Sequence, residues 1–340
     1  YHFKQVSLGL YLLLQIVLVT CCGILYLIKF PTFYSLPIMC GLAFSVWGLY
    51  FWMCGRGSSR PCGWYLAGSL CMALVAGCRP QLLVLSLLAF PLFWRAYITE
   101  RKLFTKRGAR EFACLIAPYL VVAAGIMLYN HARFGSFTDF GANYNLTVND
   151  MTKRGVNFGR LAPALFAYFL QPPCVVGTFP YLQAVSFDTT YLGQTIKEVT
   201  FGGVLACLPV LWLLPFAPRI LRLRISQRST RTILGVIIVL LATGVLVALV
   251  DAEMAGILQR YYADFSFMFL AAVVLLAFIV NENLAPGSTM AQIFTKVLLA
   301  LVAISVLYSV LVCFVPETGW YSDIYPWAYQ SLIEMVEFWT

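Results

Sequence analysis

Runs of about 17 to 23 apolar residues recur along most of this chain, each long enough to cross a hydrocarbon core of roughly 30 Å. In lipid every backbone N–H and C=O must be satisfied within the protein, so such runs fold as helices. With 61% of 340 residues hydrophobic and 11% charged, a soluble domain is excluded. The expected fold is an all-α integral membrane protein, a polytopic helical bundle with outward interfacial helices.

The runs give about nine transmembrane helices, near residues 6–28, 33–54, 63–78, 81–98, 112–129, 201–218, 232–250, 265–280 and 293–315. The third is short and Pro80 follows it, so the third and fourth read as a tight helical hairpin. The organisation is then a five-span region over 1–129, a loop over 130–200, a four-span region over 201–315 and an aromatic tail over 316–340.

Basic residues near helix ends favour the cytoplasm. Arg56 and Arg60, the group Arg95, Arg101, Lys102, Lys106, Arg107 and Arg110, the group Arg219, Arg222, Arg224, Arg228 and Arg231, and Lys4 and Lys296 all fall on one side. The acids there are Glu100, Glu111 and Glu282, so the net charge of +9 divides into +12 on that side and −3 on the other. That predicts a multi-pass protein of the cell membrane with the 130–200 loop extracytoplasmic. The basicity is then a footing on anionic inner-leaflet lipid rather than a nucleic-acid surface.

Most of the 11 cysteines lie in apolar runs and act as small hydrophobes. Neither they nor the two histidines show metal-ligand spacing. No GxxxxGK[ST] or GxGxxG nucleotide cradle is present. The chain opens at Tyr1 without a leader, and the loop charges put Tyr1 inside, so any preceding segment is expected to carry an even number of spans or to be cytoplasmic.

Function is expected on the outward face, where three constellations stand. Asn130, Arg133, Asp139 and Tyr144 follow the fifth span, with Gly135 and Gly141 permitting sharp turns beside an arginine fork suited to phosphate. Arg79 lies between the hairpin spans, where a charge needs a carboxylate, a carbonyl or a lipid phosphate. Gln259-Arg260-Tyr261-Tyr262-Ala263-Asp264 precedes the eighth span. The plain structural alternatives are Arg133–Asp139 and Arg260–Asp264 ion pairs within an aromatic belt. The stretch 158–170, stopped by Gln171-Pro172-Pro173, predicts an interfacial helix, and Asn145-Leu146-Thr147 is a glycosylation sequon.

The run Tyr129-Asn130…Arg133-Phe134-Gly135-Ser136…Phe140-Gly141…Tyr144, with Arg79-Pro80 before it and Gln171-Pro172-Pro173, Phe179-Pro180 and Arg260-Tyr261…Asp264 after it, resembles bacterial membrane glycosyltransferases of the GT-C superfamily. Their relatives are the protein O-mannosyltransferase-like (family 39-like) and aminoarabinose-transferase-like enzymes. The resemblance implies a polyprenyl-phosphate sugar as donor, its lipid tail among the spans beside membrane lipid and its phosphate held by arginines at the surface, and a glycan or protein acceptor on the outer face. It implies lipid-phosphate or substrate binding by Arg79, Arg133, Arg260, Tyr261, Asn130 and Tyr144. It further implies an essential acid in the first outward loop, acting as base or holding a divalent metal. Lys29-Phe30-Pro31-Thr32 has no acid there, so the expected acid lies upstream of Tyr1. If the chain is complete, Asp139, Asp188, Asp251 and Asp264 are the in-chain candidates. The alternatives are a polysaccharide polymerase or ligase, distinguished by product length, a lipid-linked glycan flippase or transporter, which would bury ionisable groups along a path, and a structural scaffold.

Overall fold

The computed structural model describes residues 3, 5–29, 31–141, 144, 158–191, 194–223, 227–254, 256–317 and 321–337, with backbone alone for 187–191, 194–198, 227–230 and 254. The sequon, Lys4, Arg224 and the side chain of Asp188 fall outside the described residues.

In chain order the elements are α1 (Leu8–Thr20), α2 (Ile24–Lys29), α3 (Ser35–Gly57), α4 (Cys62–Cys78), α5 (Pro80–Thr99, running from 3-10 through α to π geometry), α6 (Lys106–Phe134) and α7 (Phe158–Leu170). Two small hairpins follow, β1 (Cys174–Val175) with β2 (Leu182–Gln183) and β3 (Val185–Tyr191) with β4 (Gln194–Thr200). Then come α8 (Val204–Cys207), α9 (Pro209–Ile220), α10 (Gln227–Met254), α11 (Tyr262–Asn283), α12 (Thr289–Val312), α13 (Tyr321–Ile324) and α14 (Pro326–Val336).

Among the described residues, six helices are long and apolar enough to cross a membrane: Ser35–Gly57, Pro80–Thr99, Lys106–Phe134, Arg231–Glu253, Gln259–Asn283 and Thr289–Val312. The chain is thus an all-α membrane protein with very little sheet. The other three expected intervals hold shorter or interrupted helices. The first breaks at Cys21–Gly23, where Gly23 takes φ +86°. The third is α4, 17 residues long, and the sixth is divided between α8 and α9 just before Pro209.

The chain divides into two compact units that interleave along the sequence, one from Tyr1–Ser35, Asn157–Thr190 and Thr195–Thr340, the other from Leu36–Val156 and Tyr191–Gln194. In the second of these, α4 packs on α5 and α6. Close approach of α3 and α4 requires small residues: a Cβ on Gly68 would lie 2.9 Å from the Gly48 carbonyl oxygen and 2.4 Å from Trp52 Cδ1. Buried Trp52 donates to Ser69 Oγ at 3.1 Å across that contact. Thr105 caps α6 by accepting from Gly108 N at 3.0 Å, and Gly135, at φ +71°, closes it. Near the start of α6, buried Glu111 receives Tyr97 Oη at 2.8 Å, Arg107 Nε at 3.0 Å and Lys102 Nζ at 2.5 Å.

In the first unit α11 is apolar on all sides and accordingly central, packed against α1, α9 and α10. Helix α7 does not lie on lipid alone. Its buried face is pinned to the bundle, with Tyr168 Oη donating to the Gly256 carbonyl at 2.7 Å and Tyr262 Oη to the Ala167 carbonyl at 2.8 Å. Gln171 then takes Thr200 Oγ1 at 2.7 Å and, through its carbonyl, Gly203 N at 2.7 Å, which returns the chain from the hairpins to the bundle.

Candidate functional site

The unit containing α3 to α6 carries Arg79, Asn130, Arg133, Asp139 and Tyr144. Arg79 is half-buried where α4 gives way to α5, its N–H donating to the Val75 carbonyl at 2.8 Å. Arg133 sits in the last turn of α6 and does not pair with Asp139. It donates to Tyr129 Oη at 2.8 Å and lies over the Tyr129 and Phe134 rings, at 5.4 and 4.9 Å from their centroids. Phe134 in turn stacks on Tyr144 at 5.2 Å. Asp139 instead accepts from Gly141 N at 2.7 Å, a local turn bond. Asn130, almost wholly buried, donates to the Phe137 carbonyl at 3.4 Å. Asn130 and Asp139 therefore shape the turn after α6, while Arg133 and its aromatics form an exposed cation–π cluster.

The other unit carries Arg260, Tyr261 and Asp264. The guanidinium of Arg260 lies between the rings of Tyr34 and Tyr261, at 4.6 and 5.1 Å, and donates to Tyr261 Oη at 3.2 Å. It forms no ion pair with Asp264, which is fully buried in the first turn of α11. The Arg260 Nε is sealed from solvent without a hydrogen-bond partner. Asp251 is buried in the last turn of α10.

Arg260 lines a cavity of about 520 Å³ with Tyr26, Gln259, Glu317, Asp323 and the apolar Ala184, Val199, Leu258 and Pro316. Each wall has a local cause. Gln259 is fixed by accepting from Phe201 N at 3.2 Å. Glu317 arrives where α12 ends and Pro316 redirects the chain. Lys29 holds that turn, its buried Nζ donating to the carbonyls of Val312 at 3.2 Å and Val315 at 2.7 Å and lying 3.8 Å from Glu317 Oε2. A cation suits this position, because the last carbonyls of α12 have no donors within the helix. Tyr26 Oη is shared between both Glu317 oxygens at 3.3 Å each.

Burial governs the charges of this pair. It brings the Lys29 ammonium down to about 8, against the pull of Glu317. It likewise pushes the Glu317 carboxyl above the usual range, against the opposing effects of Lys29 and Tyr26. A carboxylate so placed, with long contacts to its neighbours and a face on a cavity, takes up a proton more readily than an ordinary carboxylate and is suited to proton exchange with a ligand. The two carboxylates for a cation here are Glu317 and Asp323, and among the described residues no group of three or more His, Cys, Asp or Glu lies together.

A second, smaller cavity of about 40 Å³ shares Tyr26 and Gln259 with the first and runs in beside the α1–α2 break, lined by Thr20, Cys21, Tyr262, Ser266, Tyr308 and Ser309 among others. Its lining is more apolar than polar, and it has room for water. No family model, curated protein or solved structure matches the chain.

Of the residues predicted from sequence, the pocket gathers Arg260, with Tyr261 beside it. Gln259 opens the same predicted constellation, whereas Lys29, Tyr26, Glu317 and Asp323 were not singled out as site residues. The available signal was side alone: the loop charges put the 29–32 connection, Arg260 and the segment after 315 on one face. Nothing in their spacing links positions almost 300 residues apart.

Proposed function

We propose that the protein is a membrane glycosyltransferase with a nine-span, GT-C-like bundle, moving a sugar from a polyprenyl-phosphate donor to a cell-envelope acceptor on the extracytoplasmic face. The observation that carries this reading is the Arg260 guanidinium, with a buried Nε still to be satisfied, facing a cavity that also holds a carboxylate at the end of an apolar bundle. In such a transfer the acceptor oxygen bonds to the sugar's anomeric carbon and the carbon–oxygen bond to phosphate breaks. The electron pair leaves with the phosphate, and the acceptor proton passes to a base. Arg260 is placed to hold the phosphate and to stabilise the charge that develops on it. Glu317 is the carboxylate in reach of the same cavity for the proton. Apolar helices beside the pocket suit the lipid tail, and Tyr26 in its lining suits a sugar.

The test is binding of a polyprenyl-phosphate sugar to purified protein, with release of the lipid phosphate followed in the same sample. Arg260→Gln is expected to weaken binding at least about tenfold, the worth of one charge-assisted phosphate contact, while thermal stability in detergent stays near wild type. Binding lost in Arg133→Ala but kept in Arg260→Gln would move the donor site to the end of α6. No saturable binding by folded wild type would overturn the reading.

One observation favours a flippase instead, the small cavity at the interruption between α1 and α2, since transporters place sites at broken helices. Its lining holds no carboxylate and no lysine or arginine. Lipid-linked substrate moved across vesicles with no phosphate released would decide for that reading.

A further inference from the structure

Away from the pocket, two nucleophilic side chains meet where α4 packs on α6. Cys62 is the first residue of α4, and Cys114 lies in the third turn of α6. The Cys114 thiol shares a hydrogen bond with the Cys62 side chain. Both cysteines are free and half-buried, so a small reagent can reach them.

Other bonds hold the two helices in this register. Arg107 Nη2 donates to the Ser59 carbonyl at 2.8 Å, tying the connection just ahead of Cys62 to the first turn of α6. The same guanidinium donates through Nε to buried Glu111 at 3.0 Å, one turn before Cys114. Thr105 fixes where α6 begins. The thiols therefore face each other without having to draw the helices together. A lone buried cysteine is a small hydrophobe, but two half-buried thiols in contact beside a polar network are not core filling. Arg110, exposed one turn before Cys114, joins Arg107 in making these surroundings positive, which attracts an anionic reagent.

We propose that Cys62 and Cys114 are a dithiol–disulfide site, oxidised by an anionic low-molecular-weight disulfide to a covalent link between α4 and α6. One cysteine, as thiolate, attacks a sulfur of the small disulfide, giving a mixed disulfide and expelling one small thiolate, which takes up the proton that the cysteine lost. The second cysteine, as thiolate, attacks the protein sulfur of the mixed disulfide. The Cys62–Cys114 bond forms, and the other small thiol leaves with the second proton. Two cysteine thiols are oxidised while one small disulfide is reduced to two thiols, so atoms and electrons balance. The site does not depend on what the Arg260 pocket binds.

In the experiment the reduced full chain in detergent is treated with glutathione disulfide, its remaining thiols are blocked with N-ethylmaleimide, and it is mapped by mass spectrometry without reduction. The expected product is a linked pair of peptides, one with Cys62 and the other with Cys114, two hydrogens lighter than their sum and separated by dithiothreitol. Its yield should exceed that of links to any of the remaining cysteines by at least about tenfold, because prealigned groups react at high effective concentration. Cys62→Ser should abolish the link and leave glutathione on Cys114, and Cys114→Ser should do the converse. Where a variant fails to fold, thermal unfolding of oxidised and reduced wild type decides instead. A link that fits the native register leaves Tm unchanged or raises it, since it constrains the unfolded chain; disulfide geometry is narrow, and a forced link stores strain. A lowered Tm, persistent glutathione on both cysteines without a link, or links scattered equally among other cysteines overturns the inference.

Discussion

Lys29 donates to two backbone carbonyls at the end of α12 and faces Glu317, all while buried. Its folded pKa of about 8 lies below the ordinary value of roughly 10.4. Between those limits the unfolded chain binds the proton more tightly, so stability rises with pH across the window. Below about 8 the cost of burying the charge is present in full, on the order of 3 kcal/mol. Thermal unfolding of wild type between about pH 8 and 10 should therefore show a rise that Lys29→Met lacks; an equal slope in both would assign the titration to another group. Residues of this kind were hidden from sequence reading. Arg260 was legible because an arginine at the end of an apolar run demands a partner. Glu317, directly after Pro316, carried no such mark, and its role comes from a contact with Tyr26 across 291 positions. Asn130 and Asp139 read as ligand groups by residue type, and in the structure each makes a bond within the turn behind α6.

At the scale of elements, hydrophobicity located the helices and missed where they break. The first apolar run has no polar residue at the interruption to mark it. The decisive feature is Gly23, whose φ of +86° only a residue without a Cβ adopts easily. A Cβ there would come within 3.0 Å of the Ala263 Cβ and 3.1 Å of its backbone nitrogen. Gly23→Ala should accordingly cost about 2 kcal/mol, from left-handed backbone strain plus crowding against α11. Gly9, inside α1 with nothing near its missing Cβ, is the control: Gly9→Ala should be neutral or stabilise by up to about 1 kcal/mol. Thermal shifts of equal sign and size for the two would show that the break is not what Gly23 serves. Helix α7 was legible, its end set by Gln171-Pro172-Pro173. The hairpin of β3 and β4 was not anticipated, although the sequence of β3 runs through Val185, Phe187, Thr189 and Tyr191 at alternate positions, a pattern that marks paired strands.

For the whole molecule, the distribution of charge predicts sidedness independently of any pocket. Fifteen of the 23 lysines and arginines fall in the loops read as inner, against three of the 14 acids. The helices support the alternation these loops need only if the short elements α4 and α9 and the broken α1–α2 also cross, since six long helices by themselves reach fewer crossings than nine. Cysteine labelling in intact cells separates the two topologies. Ser59→Cys lies in a basic loop and Thr138→Cys beyond the end of α6, both at exposed positions. With α4 and α5 both crossing, these sites stand on opposite sides, and a membrane-impermeant maleimide should label Thr138→Cys at once and Ser59→Cys only after permeabilisation. The eleven native cysteines are all free, three of them buried and the other eight half-buried, so the parent chain sets the background to subtract. If α4 instead turns back within the bilayer, one crossing is lost between the two sites and both label from the same side. That outcome would also dissolve the case for Arg260 and Glu317 facing outward, because their assignment to that side descends from the same alternation of loops.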